Sequence, residues 1–171
     1  MKKEKDMEKY TIFLDASGTI LQSSSSNAIG VQVCPDAKEI LAALKLRKIS
    51  GFPIKTGIIT NWGNRINGML RALNIDNCFD VVISSDTVEK GKPDSSVFHH
   101  ACLLVGIEKQ NAIHIGDSLH DDALGAQEAG LHGFWIRRSN YLPEESKYLK
   151  YPIFNDLNQV LKFIEETIIK K

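Results

Sequence analysis

The 171-residue sequence predicts an α/β protein built on a doubly wound, Rossmann-like parallel sheet. Three observations carry this prediction. Five short apolar runs lack polar alternation, as strands buried on both faces of a parallel sheet do. Stretches with helical spacing lie between them, which implies right-handed crossovers. Polar residues gather where the runs end, the edge at which such sheets bind ligands.

The first strand is read in Tyr10 to Ala16, ending at Asp15 before Ser17-Gly18-Thr19. Ser23 to Ser26, within a segment from Leu21 to Val33, reads as a flexible loop and the one candidate flap. Pro35 opens a helix with Ala37, Ile40, Leu41 and Leu44 on one face. The second strand, Ile54 to Thr60, ends at Asn61-Trp62-Gly63 and leads to a helix with Ile66, Met69, Leu70 and Leu73. Val81 to Ser85 is the third strand, followed by a helix carrying Val97, Ala101 and Leu104 and ended by Gly106. Ala112 to Asp117 is the fourth strand, and Asp121 to Ala129 a short alanine-rich helix stopped at Gly130. Gly133 to Arg137 is the fifth strand, and a last helix spans about Asp156 to Ile169. No repeat or linker interrupts this order, so residues 1–9 read as a charged tail and 10–171 as one domain.

Composition narrows the function classes. Twenty-one basic and 21 acidic residues cancel, and a nucleic-acid surface needs a marked basic excess. No apolar run approaches the ~20 residues that span a bilayer, and the MKKEKDMEK start lacks a signal peptide's apolar stretch. Cys34, Cys78 and Cys102 form neither a CxxC pair nor a zinc spacing and read as reduced core thiols. A soluble, cytoplasmic protein without membrane or nucleic-acid partners is expected.

Chemistry is concentrated at four strand ends. Asp15 could serve as a nucleophile if a cation offsets its repulsion from an anion, or as a turn or helix-capping aspartate. Gly18 lets the backbone turn so that amides face an anion. Thr60 and Asn61 suit phosphate oxygens, or cap the helix that follows. Lys92 in GKPD could hold both nucleophile and phosphate. Asp117 and Asp122 in GDSLHDDALGAQEAG are oxygen donors of the kind Mg²⁺ prefers, while Asp121 reads as first-turn helix stabilisation.

In order and spacing, Asp15 to Thr19, Thr60, Lys92-Pro93 and Gly116-Asp117 with Asp122 resemble the four motifs of the haloacid dehalogenase-like (HAD) hydrolases. The resemblance covers about Tyr10 to Arg137. It implies that Asp15 forms an aspartyl-phosphate, and that Thr60 and Lys92 bind the phosphoryl group, Lys92 also orienting Asp15. It further implies that Mg²⁺ sits on the Asp15 and Asp117 carboxylates and the Ser17 main-chain carbonyl. Asp122 would be a direct or indirect acidic contact of the metal site. About 40 residues between Asp15 and Thr60 leave no room for a large cap, so the site is expected to be open. A phosphorylated small molecule or a larger phosphorylated substrate would fit it.

One departure stands out. Phosphatases of this family carry a second aspartate two residues after the nucleophile, and here that position is Ser17. Losing a general acid–base typically costs about 10²–10⁴-fold in rate. A slow phosphohydrolase favouring good leaving groups is therefore expected, with a non-catalytic phosphate-binding or protein-interaction relic as the alternative. Dehalogenating and phosphonate-cleaving members also lack that aspartate, but they need a cap, and metal-independent dehalogenation does not need Asp117. His120 could supply the missing proton, or be simply an exposed helix-start residue. Trp62 could stack on a substrate or pack on the helix start. His99, His100, His114 and His132 read as structural.

Overall fold

The computed structural model of the chain describes residues 10–168. The charged segment 1–9 and the end of the last helix at Ile169 lie outside the described residues. The chain runs β1 (Tyr10–Leu14), β2 (Leu21–Ser23), β3 (Val31–Val33), α1 (Lys38–Lys45), β4 (Lys48–Ile49), β5 (Phe52–Ile59) and α2 (Arg65–Ala72). It continues through β6 (Val81–Ile83), α3 (Ser95–Val105), β7 (Ala112–Gly116), α4 (Gly125–Ala129), β8 (His132–Trp135) and α5 (Leu157–Phe163).

Five strands pair in parallel in the order β6-β5-β1-β7-β8, and β4 folds back antiparallel on the start of β5. The chain winds outward from β1 to β6, then returns to lay β7 on the other side of β1. That reversal makes the carboxyl ends of β1 and β7 the switch point, where open α/β sheets form a crevice.

Alternate side chains explain why both faces are covered. Ile12, Leu14, Ile113 and Ile115 pack with Ile40, Leu44, Ile66, Leu70, Leu157 and Val160 of α1, α2 and α5. Phe13 points the other way, into Val97, Phe98, Ala101, Ala126 and Ala129 of α3 and α4. Each such large side chain contributes about 1.5–3 kcal/mol by leaving water, so the two layers fix the sheet. Helices α3 and α4 end at Gly106 and Gly130, as the sequence predicts.

The structure corrects three local expectations. The segment Leu21 to Val33 is not one loop. Its ends pair as the antiparallel strands β2 and β3, and the serines lie at the hairpin tip, closed by Ser24 N–H to Gly30 O at 2.9 Å. Leu104 does not belong to the buried stripe of α3: it is exposed, while Phe98, Cys102 and Val105 face inward. The alanine-rich helix begins as a π-helical turn, Leu119–Leu124, before α4. All three cysteines are free and buried, as expected. No helix among the described residues is long and apolar enough to cross a membrane.

Candidate active site

Strand register brings the site together. Leu14 lies level with Ile58 on one side and Ile115 on the other, so Asp15, Thr60 and Asp117 emerge at one sheet edge. Asp15 is held there by its main-chain N–H donating to Ile115 O at 2.9 Å. Asp122 enters from the π-helical turn and Lys92 from the loop before α3. With Ser17, Asn61, Trp62, Ser118 and Asp121 they line an open cavity of about 140 Å³, enough for a phosphoryl-sized group.

Lys92 is the hub. Its Nζ donates to Asp15 Oδ1 at 2.7 Å and to Asp122 Oδ1 at 2.5 Å, with all three side chains almost fully buried. Asp122 is bonded on every side. Oδ1 also meets His114 Nε2 at 2.9 Å, and Oδ2 accepts the Ser118 main-chain N–H at 3.0 Å. His114 is fully buried on β7, its ring edge-on to Phe98 and its Nδ1 without a hydrogen-bond partner among the described residues. The resulting chain, His114–Asp122–Lys92–Asp15, fixes the ammonium against the candidate nucleophile. Charge-assisted bonds of this kind are about twice as strong as neutral ones.

Burial and like charges set the protonation states. Burial pushes Asp15 up to about 7; Lys92 pulls against this, while Asp122 and Asp117 push further up. Burial, then Asp122, also raises Asp117. Asp122 goes the other way: burial would raise it, but the His114 hydrogen bond and the Lys92 charge hold it at about 2. Burial lowers Lys92, yet Asp122 and Asp15 outweigh it and hold its pKa above the ordinary lysine value. Burial lowers His114, which favours the neutral ring.

Neighbouring residues shape the cavity. Gly18, at φ +77°, leaves no room for a side chain, since a Cβ there would lie 2.1 Å from Asp117 Oδ2. Arg138 clamps the same loop from outside. Its Nε and Nη2 donate to the Gly18 and Thr19 carbonyls at 2.9 and 2.8 Å, and its Nη1 to Asp36 Oδ2 at 2.8 Å. Thr60 Oγ1 accepts the Trp62 N–H at 3.2 Å, which aims its hydroxyl proton elsewhere. The side chain of Asn61, expected on a phosphate oxygen, is instead engaged with Lys92. Its Oδ1 accepts the Lys92 main-chain N–H and its Nδ2 donates to the Lys92 carbonyl, both at 2.9 Å. Asn61 therefore positions the lysine.

Asp15, Ser17, Thr60, Lys92, Asp117 and Asp122 thus converge, whereas exposed His120 is not among the residues lining the cavity. The sequence reads His114 as structural and does not single out Arg138. For His114 the available signal was its place three residues before Asp117, on the face of β7 opposite Ile113 and Ile115.

The donor set fits a divalent cation. Asp15, Asp117 and Asp122 offer oxygens all within 4.8 Å of one another. Three carboxylates against the one Lys92 ammonium leave a net charge of −2 when all are ionised, an excess that adds to the burial pushing Asp15 and Asp117 up. Asp15 and Asp117 are the freer ligands, because Asp122 already accepts three donors.

A Rossmann-like sheet with a buried lysine–aspartate pair at its switch point sets a carboxylate and a cation where open α/β sheets bind ligands. The chain belongs to the haloacid dehalogenase-like hydrolases, whose family model matches residues 2–136. It is 31% identical over 135 residues to a glyceraldehyde 3-phosphate phosphatase of Pyrococcus furiosus, covering 77% of this chain and 54% of that protein. It is 33% identical over 109 residues to a phosphoglycolate phosphatase of Nitrosospira multiformis, covering 63% and 45%. The chain spans about half the length of these curated relatives. The crystal structure of a HAD phosphatase from Thermococcus onnurineus shares the fold, with a TM-score of 0.77, 20% identity and coverage of 91% and 97%.

Proposed function

We propose that the chain is an Mg²⁺-dependent phosphohydrolase that works through an aspartyl-phosphate on Asp15. The observation that carries this reading is the Lys92 ammonium, held 2.7 Å from Asp15 by a buried network beside Asp117. Two relatives bear the names of phosphatases, and their similarity supports the same chemistry here. Mg²⁺ would be held by Asp15, Asp117 and the Ser17 carbonyl, with Asp122 behind them, and would supply charge neutralisation at the phosphoryl oxygens.

The remaining steps belong to the chain's own residues. An Asp15 oxygen attacks phosphorus as the bond to the leaving oxygen breaks, and the electron pair stays with that oxygen. Lys92 balances the charge gathering on the phosphoryl group and holds Asp15 in line. The Thr60 hydroxyl donates to a phosphoryl oxygen. Water then attacks the phosphorus of the aspartyl-phosphate, which frees inorganic phosphate and restores the carboxylate. Ser17 can neither protonate the leaving group nor deprotonate that water at neutral pH, so turnover is slow and favours acidic leaving groups. Three buried free thiols support a reducing, cytoplasmic setting.

The test is Mg²⁺-dependent phosphate release from p-nitrophenyl phosphate and acetyl phosphate. Wild type is active, Asp15→Asn is silent, and Ser17→Asp gains about 10²-fold or more. Silence of folded wild type and Ser17→Asp, with no base-labile phosphate on Asp15, would instead leave a non-catalytic phosphate-binding role.

A further inference from the structure

A second hollow, of about 420 Å³, opens beside the catalytic cavity and is lined by Asn61, Trp62, Gly63, Arg65 and Met69. Asn61 and Trp62 line both, so the two spaces adjoin at the start of α2. The walls are of two kinds. Half-buried Trp62 and Met69 supply a flat indole and a thioether, while the guanidinium of exposed Arg65 makes no hydrogen bond or ion pair among the described residues. Arg65 and Met69 are four apart in α2 and so share a helix face.

The walls are held in place. Trp62 is anchored through its N–H to Thr60 Oγ1 and its carbonyl, which accepts the Ser85 N–H at 3.0 Å, and it packs on the core that contains Ile66 and Leu70. Asp86 Oδ2 accepts the Asn64 N–H at 2.7 Å and fills the space a side chain at Gly63 would need.

The chemistry of the two spaces differs in sign. Carboxylates dominate the catalytic cavity, with Lys92 already engaged, whereas Arg65 is the one ionisable group lining the hollow. We propose that this hollow is the leaving-group subsite, and that it takes a flat aryl group bearing a carboxylate. The indole and thioether provide a face for the ring, and the unpaired guanidinium a partner for the carboxylate. Ser17 is consistent with an aryl group there, because a phenolate leaves without a donated proton. The phosphorus–oxygen bond to the aryl group breaks with its electron pair kept by the phenolate, and the new bond forms to Asp15. The volume lies in the range of small-molecule sites and exceeds what acetyl phosphate would fill.

This inference rests on the phosphohydrolase reading, so its test must separate the two. Mg²⁺-dependent kcat/KM is measured for 4-carboxyphenyl phosphate, phenyl phosphate and acetyl phosphate. In Arg65→Gln the ratio of carboxyphenyl to phenyl phosphate falls about fivefold, the size of an exposed ion pair. In Trp62→Leu the ratio of either aryl phosphate to acetyl phosphate falls about five- to tenfold. Unchanged ratios in both variants overturn the subsite. A second arm needs no turnover: folded Asp15→Asn is titrated with 4-carboxyphenyl phosphate while tryptophan fluorescence is followed. Saturable quenching that weakens about fivefold on adding Arg65→Gln upholds the subsite even if no substrate is hydrolysed. Absence of saturable quenching overturns it.

Discussion

Replacing the candidate nucleophile should make the metal-free protein more stable. Burial and two neighbouring carboxylates lift Asp15 from an ordinary 3.8 to about 7. The folded state thus binds this proton more tightly than the unfolded chain does. The stabilisation it brings is complete below pH 3.8 and is lost as pH rises through 7, so the ionised carboxylate opposes folding at pH 8. Three pH units at about 1.4 kcal/mol each put that opposition on the order of 4 kcal/mol. Neighbouring charges relax when one is removed, so Asp15→Asn should recover about 1–3 kcal/mol, its amide oxygen still accepting from Lys92. The assay is urea unfolding in EDTA between pH 4 and 8. The variant should be more stable than wild type at pH 8, with the difference fading toward pH 4, and Mg²⁺ should stabilise wild type more than the variant. A variant equally or less stable at pH 8 in EDTA, or a difference indifferent to pH, would refute the reasoning.

Three further outcomes follow from the same geometry. Mg²⁺ added at pH 7 in weak buffer should displace roughly half a proton per chain, because binding requires Asp15 to ionise; Asp15→Asn should release none, as read by pH-stat titration. In Gly18→Ala the Cβ would meet Asp117 Oδ2 at 2.1 Å, so the Mg²⁺-dependent rise in Tm should disappear in thermal melts of a protein that still folds. His114→Leu removes a buried hydrogen bond to the Asp122 carboxylate and should cost about 1.5–3 kcal/mol in urea unfolding, together with a fall in kcat that exceeds any change in KM.

The parts of the site legible in the sequence are those fixed by strand ends. Asp15, Thr60 and Asp117 each close an apolar run, and parallel register alone carries them to one edge. Lys92 lies in the loop before α3 and Asp122 in the π-helical turn; their chemistry was legible as a GKPD lysine and an acidic oxygen donor, but no periodicity dictates the path that brings them together. The side chain of Asn61 looked like a phosphate ligand because the sequence does not show that the Lys92 backbone passes within 2.9 Å of it. His114 reads as structural from sequence because a histidine inside an apolar strand looks the same whether inert or bonded. Its partner arrives only because the π-helical turn folds Asp122 back over β7. The β2–β3 hairpin escaped notice because three-residue strands are too short to show alternation.

Arg138 lies two residues beyond the end of the family match, yet its guanidinium grips the Gly18 and Thr19 carbonyls. Its other partner, Asp36, also accepts the Leu157 N–H at 2.9 Å, so the start of α5 is tied into the same knot. The candidate nucleophile's loop is therefore braced by a stretch that contributes no reacting group. A chain trimmed at residue 136 would keep every residue of the catalytic cavity and lose the outer brace that holds them in register. Through Asp36 and Arg138 the loop after β1 is tied to α5, beyond the residues that the family model matches.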